Sequence, residues 1–131
     1  MQENNEHSYF INQLYRDFLL PTILGEDTKE ILYWAGKKIA NKYALSDTDS
    51  LIDFFQMAQF GDLKLISEKR VGATFELSGQ IVEDRLNSDT KDFELEGGII
   101  SACLASENQR DCESNVVIND KEKKVQIIAQ Y

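Results

Sequence analysis

Between residues 10 and 19 the apolar positions Phe10, Ile11, Leu14, Tyr15, Phe18 and Leu19 recur at steps of three and four, the spacing of one stripe on an amphipathic helix. Such a stripe predicts a core-facing side. Pro21 predicts the helix end, because proline disfavours helical geometry at the residue before it. Asp27 and Glu30 have capping-box spacing, and Ile31, Trp34, Ala35, Ile39 and Tyr43 carry the next stripe. That spacing puts Trp34 on the inner face and leaves Tyr33, rotated by about 100° from it, accessible. A third helix is expected from Ser46 or Thr48, with Asp47 and Asp49 complementing its N-terminal dipole. Leu51, Ile52, Phe55 and Ala58 form its inner face, and Gly61 marks its exit.

After Gly61 the period drops to two. Leu63 and Leu65, then Ala73, Phe75 and Leu77, alternate with polar residues across a turn near residues 70–72, which predicts a half-buried hairpin. Residues 81–86 fit a short helix or an edge strand, and Phe93 with Leu95 reads as a short strand. Gly97 and Gly98 open a helix with Ile99, Ile100, Cys103 and Leu104 inward. Residues 116–118 and 125–129 are apolar runs separated by polar residues 119–124, a terminal hairpin with Lys121 to Lys124 as its solvated tip.

The order is three helices, a hairpin and short strand, one helix and a last hairpin. It predicts an α+β fold, an antiparallel sheet with helices mainly on one face. Residues 1–8 are expected to form a flexible tail and residues 9–131 a single domain. The chain has 131 residues, 42% of them hydrophobic and 28% charged, which suits one globular core. Its net charge of −9 argues against nucleic acid and anionic membrane as partners. The acidic start lacks the features of a signal peptide and no apolar run reaches bilayer length, so a cytoplasmic protein without membrane insertion is expected.

Little in the sequence points to catalysis. His7, the one histidine, falls in the expected tail, which argues against histidine-dependent nucleophiles and histidine-rich metal sites. Asp47 and Asp49 begin like a calcium loop, but Leu51 occupies the third ligand position and the turn glycine is missing. Glu94, Glu96, Glu107, Asp111 and Glu113 read as solvated faces. Gly97-Gly98 is too short to cradle a phosphate. Cys103 packs as a small hydrophobe, and Cys112, beside Asp111 and Glu113, reads as an incidental surface thiol in which the thiolate is disfavoured. No catalytic residue, metal site or cofactor is assigned.

One glycine stands out. Gly36 lies inside Ile31-Leu32-Tyr33-Trp34-Ala35-Gly36-Lys37-Lys38-Ile39-Ala40, where it costs a helix about 1 kcal/mol relative to alanine. It implies close approach by another backbone or a ligand. With Leu19-Leu20-Pro21, Phe54-Phe55-x-x-Ala58-x-Phe60-Gly61, Phe75-Glu76-Leu77 and Phe93-x-Leu95-Glu96-x-Gly98, this segment resembles the YslB-like bacterial family of unknown function. That family in turn resembles the hydrocarbon-binding domain of vinyl-reductase type, the haem-nitric-oxide-associated domains and the Bet3-type subunits of the transport protein particle. Tyr33 to Gly36 and Glu96 to Gly98 match motifs recurring there. The resemblance implies the nitric-oxide-signalling and Golgi-transport ligand-binding fold, and small-ligand binding or dimerisation in place of catalysis. The zinc-binding cysteines of some relatives have no counterpart here.

Two functions follow as expectations. In the first, a binding module keeps a pocket for a small apolar ligand, with Tyr33, Trp34, Phe54 and Phe55 as lining beside Gly36. In the second, a homodimeric or adaptor module buries Tyr33 and Trp34 against a partner. For each aromatic taken singly, ordinary core packing is the competing reading, and an enzyme without histidine ranks last.

Overall fold

The computed structural model describes residue 7, residues 9–88 and residues 91–131. The expected tail over residues 1–8 lies outside the described residues apart from His7, which is helical and exposed. Residues 9–12 (α1) run into a π-helical segment, Gln13–Leu19, and then α2, Leu20–Leu24. Pro21 therefore does not end the helix. It stands in the first turn of α2, where its missing N–H costs least, and the wider turns of the π segment lead up to it. The end comes at Gly25, whose φ of +62° suits glycine.

A 3-10 turn, Gly25–Asp27, leads into α3, Thr28–Lys42. Thr28 Oγ1 donates to the Gly25 carbonyl at 2.6 Å, whereas Asp27 makes no side-chain cap. The α4 helix, Thr48–Met57, is capped as expected, with the Ser50 N–H donating to Asp47 Oδ1 at 2.7 Å. Ala58 falls just past its end and is exposed, not inward. Strands β1 (Asp62–Lys69) and β2 (Gly72–Ser78) form the first hairpin, and residues 81–86 resolve as helix within α5, Gln80–Leu86, with Val82 and Leu86 buried one turn apart.

The expected strand at Phe93 and Leu95 is instead the start of α6, Glu94–Asn108. Two apolar residues at spacing two are too few to fix a period, and the Asp92 carboxylate accepts the Glu94 N–H at 2.8 Å, which favours a helix start. Strands β3 (Glu113–Asn119) and β4 (Lys124–Gln130) close the chain as the second hairpin.

The two hairpins join into one antiparallel sheet of order β1-β2-β4-β3. Alternation puts Leu63, Ala73, Phe75, Leu77, Val125, Ile127 and Ala129 on its buried face. The α6 helix carries apolar or small residues nearly all round from Leu95 to Leu104, so that stretch is buried on nearly all sides, between the sheet and α3. The fold is α+β, with helices stacked on one face of the sheet.

Candidate functional site

The α3 helix meets α6 most closely at its glycine. Thr28, Leu32, Gly36 and Ala40, spaced by four, are its buried row. A Cβ on Gly36 would lie 2.8 Å from the Ile99 nitrogen and closer still to the Leu95 carbonyl oxygen. One on Gly98 would lie 3.2 Å from Gly36 Cα. Two glycines back to back let the helix backbones touch, so Gly36 makes the close approach its cost implied.

This crossing turns Trp34 outward. It is 60% exposed, with Lys38 Nζ 5.3 Å from its ring, so its expected place on the inner face is corrected. The large apolar residues of α3 define a stripe about one residue away from the row that packs, because close backbone approach selects small side chains over large ones. Tyr33 is half-buried. Its hydroxyl lies 2.7 Å from Ser101 Oγ and accepts the Ser114 N–H at 3.1 Å. Ser101 donates to Ser114 Oγ at 2.8 Å, and Ser114 donates to the Gly97 carbonyl at 2.7 Å. This chain of hydroxyls ties α3, α6 and the edge strand β3 together. Phe54 leans on Tyr43 and Phe60, with ring centroids 5.3 and 6.3 Å away, while Phe55 is wholly buried in the core. The five residues singled out from the sequence thus divide among the helix crossing, solvent, a surface aromatic cluster and the core.

The N-terminal helix reverses the expected orientation. Its buried residue is Arg16, while Phe18 is 62%, Phe10 57% and Tyr15 49% exposed, and Ile11 and Leu14 are exposed beside them. Arg16 forks onto Glu96 at 3.0 and 3.1 Å. Arg85 donates to the same carboxylate at 3.0 Å, to Asp17 at 3.3 Å and to the Asp92 carbonyl. Glu96 is fully buried, which corrects its reading as part of a solvated face. Burial alone would push its carboxyl up, but the guanidiniums of Arg16 and Arg85 reverse that and hold it below the ordinary glutamate range. Asp17 is held above the ordinary aspartate range by burial, partly offset by Arg85. Arg16 and Asp17 carry the only charges between residues 9 and 24, and the cluster engages both. An arginine opposite an apolar stripe is a visible signal, but its partner lies 80 residues away.

An open, polar groove of about 990 Å³ runs between α3, the end of α6 and β3, lined by Lys37, Asn41, Arg110, Cys112 and Glu113 among others. Lys37 is ion-paired with Glu113. Cys112 is buried, correcting its surface reading, and burial pushes its thiol pKa up, with Glu113 adding to the shift. Glu107, Asp111 and Glu113 are exposed, as a solvated face requires. Among the described residues no group of three His, Cys, Asp or Glu side chains is placed to hold a metal ion.

The family described as "Protein of unknown function (DUF2507)" matches residues 9–130. The uncharacterized protein YslB of Bacillus subtilis (strain 168) is 32% identical over 130 residues, covering 98% of this chain and 86% of that protein. The crystal structure of a vinyl-4-reductase family protein from Methanocaldococcus jannaschii superposes with a TM-score of 0.63 at 20% identity, over 76% of this chain and 66% of that one. At that identity the likeness is one of fold.

Proposed function

From the premise that the chain belongs to the DUF2507 family, whose function is unknown, we propose that it is a non-catalytic, cytoplasmic protein-interaction module that works through the outward apolar face of its N-terminal helix. The observation that carries this reading is the inversion of that helix, with its charged residues turned in and its aromatic row turned out. Three half-exposed aromatics, each able to bury roughly 150–250 Å², put on the order of 300 Å² of apolar surface on one face before Ile11 and Leu14 are added. A patch of that order is the largest that a typical monomer exposes, and such patches are often functional. The face also lacks charge in a molecule of net charge −9, as interface centres do.

A membrane surface fits less well, since the face has no flanking lysines or arginines to meet anionic headgroups. Among the described residues no helix is long and apolar enough to cross a membrane. The small-ligand reading has less support, because Tyr33 and Trp34 point away from Phe54 and Phe55, whose rings both pack on Phe60.

A photo-crosslinking phenylalanine analogue at position 18, compared in living cells with one at the exposed sheet position Val117, tests the proposal. Protein adducts should form at position 18 and be absent at position 117. If position 18 gives none, the face serves no protein partner.

A further inference from the structure

We infer that Glu96, Arg85 and Phe60 form a receptor for one guanidinium group, that Arg16 fills it from the same chain, and that the N-terminal helix is thereby a latch which a competing guanidinium group releases. The site lies on the inner side of that helix, away from the outward aromatic row. At its centre is a fully buried carboxylate in the first turn of α6, which offers both oxygens as a fork. Arg16 Nη1 donates to Oε2 at 3.1 Å and Nη2 to Oε1 at 3.0 Å, the paired geometry that a planar guanidinium makes and an ammonium does not. The Phe60 ring adds to this, its centroid 5.6 Å from Arg16 Cζ and so within reach of a cation–π contact.

Two arginines share the carboxylate, and they are held differently. Arg85 donates to Glu96 Oε2, to Asp17 and to the Asp92 carbonyl, and its Cζ lies 4.4 Å from the centre of the Phe93 ring, so it is a fixed wall of the site. Among the described residues the Arg16 side chain donates to Glu96 alone, and its buried Nε donates to nothing. A buried N–H without an acceptor weakens the contact as a whole. The receptor thus reads the forked end of the group and leaves the stem unread, so it takes a guanidinium whatever carries it.

The rest of the helix does little to hold it. Arg16 is the one buried residue between positions 9 and 24, while Leu20 and Leu24, at the C-terminal end, pack on the core in part and remain as the hinge. Among the described residues no helix or strand other than α2 runs closely alongside the π-helical segment. Segments with few buried apolar contacts open at free energies below that of the whole fold. This one is fastened by the Arg16 fork and by the longer Asp17–Arg85 pair at 3.3 Å. Exchange of the fork for another guanidinium lets the helix swing away, and the return of Arg16 closes it.

Hydrogen exchange of the full chain, followed by mass spectrometry, tests the latch, and chemical rescue tests the receptor. In wild type the amides of residues 9–24 should exchange faster than those of α6. Arg16→Lys keeps the charge and loses the fork. It should speed exchange over residues 9–24 by about tenfold or more and leave α6 and the sheet unchanged, since a hydrogen bond between charged groups is strong enough to shift a local opening by that factor. Arg16→Ala empties the receptor. Millimolar methylguanidinium should then raise the melting temperature of Arg16→Ala, methylammonium at the same concentration should not, and neither should raise that of wild type, whose receptor is filled. Equal protection of residues 9–24 and α6 overturns the latch, as does an Arg16→Lys chain that exchanges like wild type or an Arg16→Ala chain that does not fold at all. An Arg16→Ala chain that folds but responds alike to both cations, or to neither, overturns the guanidinium receptor.

Discussion

The α6 helix and the N-terminal helix share one carboxylate and use it in opposite ways. In α6, Glu96 is the fully buried charge in an otherwise apolar and small surround, and burial of that surround holds the helix in place. The N-terminal helix is docked onto Glu96 by Arg16, with Arg85 and Asp17 completing the cluster, and leaves its apolar row in solvent. Hydrophobicity coincides with burial in the first helix and with exposure in the second. A charge pair satisfied on both sides can attach a helix to a domain, and the apolar face it turns outward is then free for another contact.

Removing the shared charge should break this comparison most severely. Glu96→Gln leaves Arg16 without its carboxylate and Arg85 with Asp17 alone, and loss of one partner from a buried ion cluster costs about 3–5 kcal/mol. Urea unfolding followed by circular dichroism checks the size of the loss. The pH dependence has a definite sign. The folded Glu96 pKa is depressed, so its contribution is present above the ordinary glutamate range and is lost as pH falls through the folded value. The gap between wild type and Glu96→Gln should therefore shrink on acidification. Asp17, whose pKa is raised, works in the opposite direction and should moderate the acid loss of wild type.

The α3–α6 crossing gives a second, smaller effect. Alanine in place of Gly36 gains about 1 kcal/mol of helix propensity, yet its methyl must enter the space of the Leu95 carbonyl and the Ile99 nitrogen. Overpacking costs typically about 1–3 kcal/mol, and a clash with backbone, which cannot rotate away, belongs at the upper end. Gly36→Ala should thus lower the unfolding midpoint. A midpoint equal to or above wild type would mean that the two helices separate at little cost, and that the close crossing does not hold α6 in place.

How much of this was legible in the sequence follows the physics of each element. The two hairpins and the α4 cap were readable because alternation and an Asp–Ser cap are local signals, complete within a few residues. Gly36 announced a close approach by its cost, although the partner, Gly98, could not be named from one chain position. Periodicity gives the wrong face for both early helices for one reason: it ranks positions by apolarity, whereas the row that packs in α3 centres on Gly36 and that in the N-terminal helix on Arg16. Glu96 was hidden because its two arginines lie 80 and 11 residues away, and only the fold brings them together. Tyr33 and Trp34 exchanged roles as a consequence.

Substitutions at Tyr33 and Trp34 separate these two readings of α3. Tyr33→Phe keeps the ring and removes the hydroxyl that bonds Ser101 and accepts the Ser114 N–H. A partly buried donor left unpaired should cost about 1–2 kcal/mol, visible in thermal unfolding. Trp34→Ala removes a much larger side chain that faces solvent and rests against the Lys38 ammonium. An exposed cation–π contact is worth about 0.5–1 kcal/mol, and alanine recovers part of that through its helix propensity, so the net change should stay within about 0.5 kcal/mol. Deletion of one oxygen should thus outweigh deletion of an indole, the reverse of what residue size and the apolar stripe imply. Chemical unfolding of the two variants side by side decides the matter: a Trp34→Ala loss of several kcal/mol would return the indole to the core and turn α3 back toward the face its large residues describe.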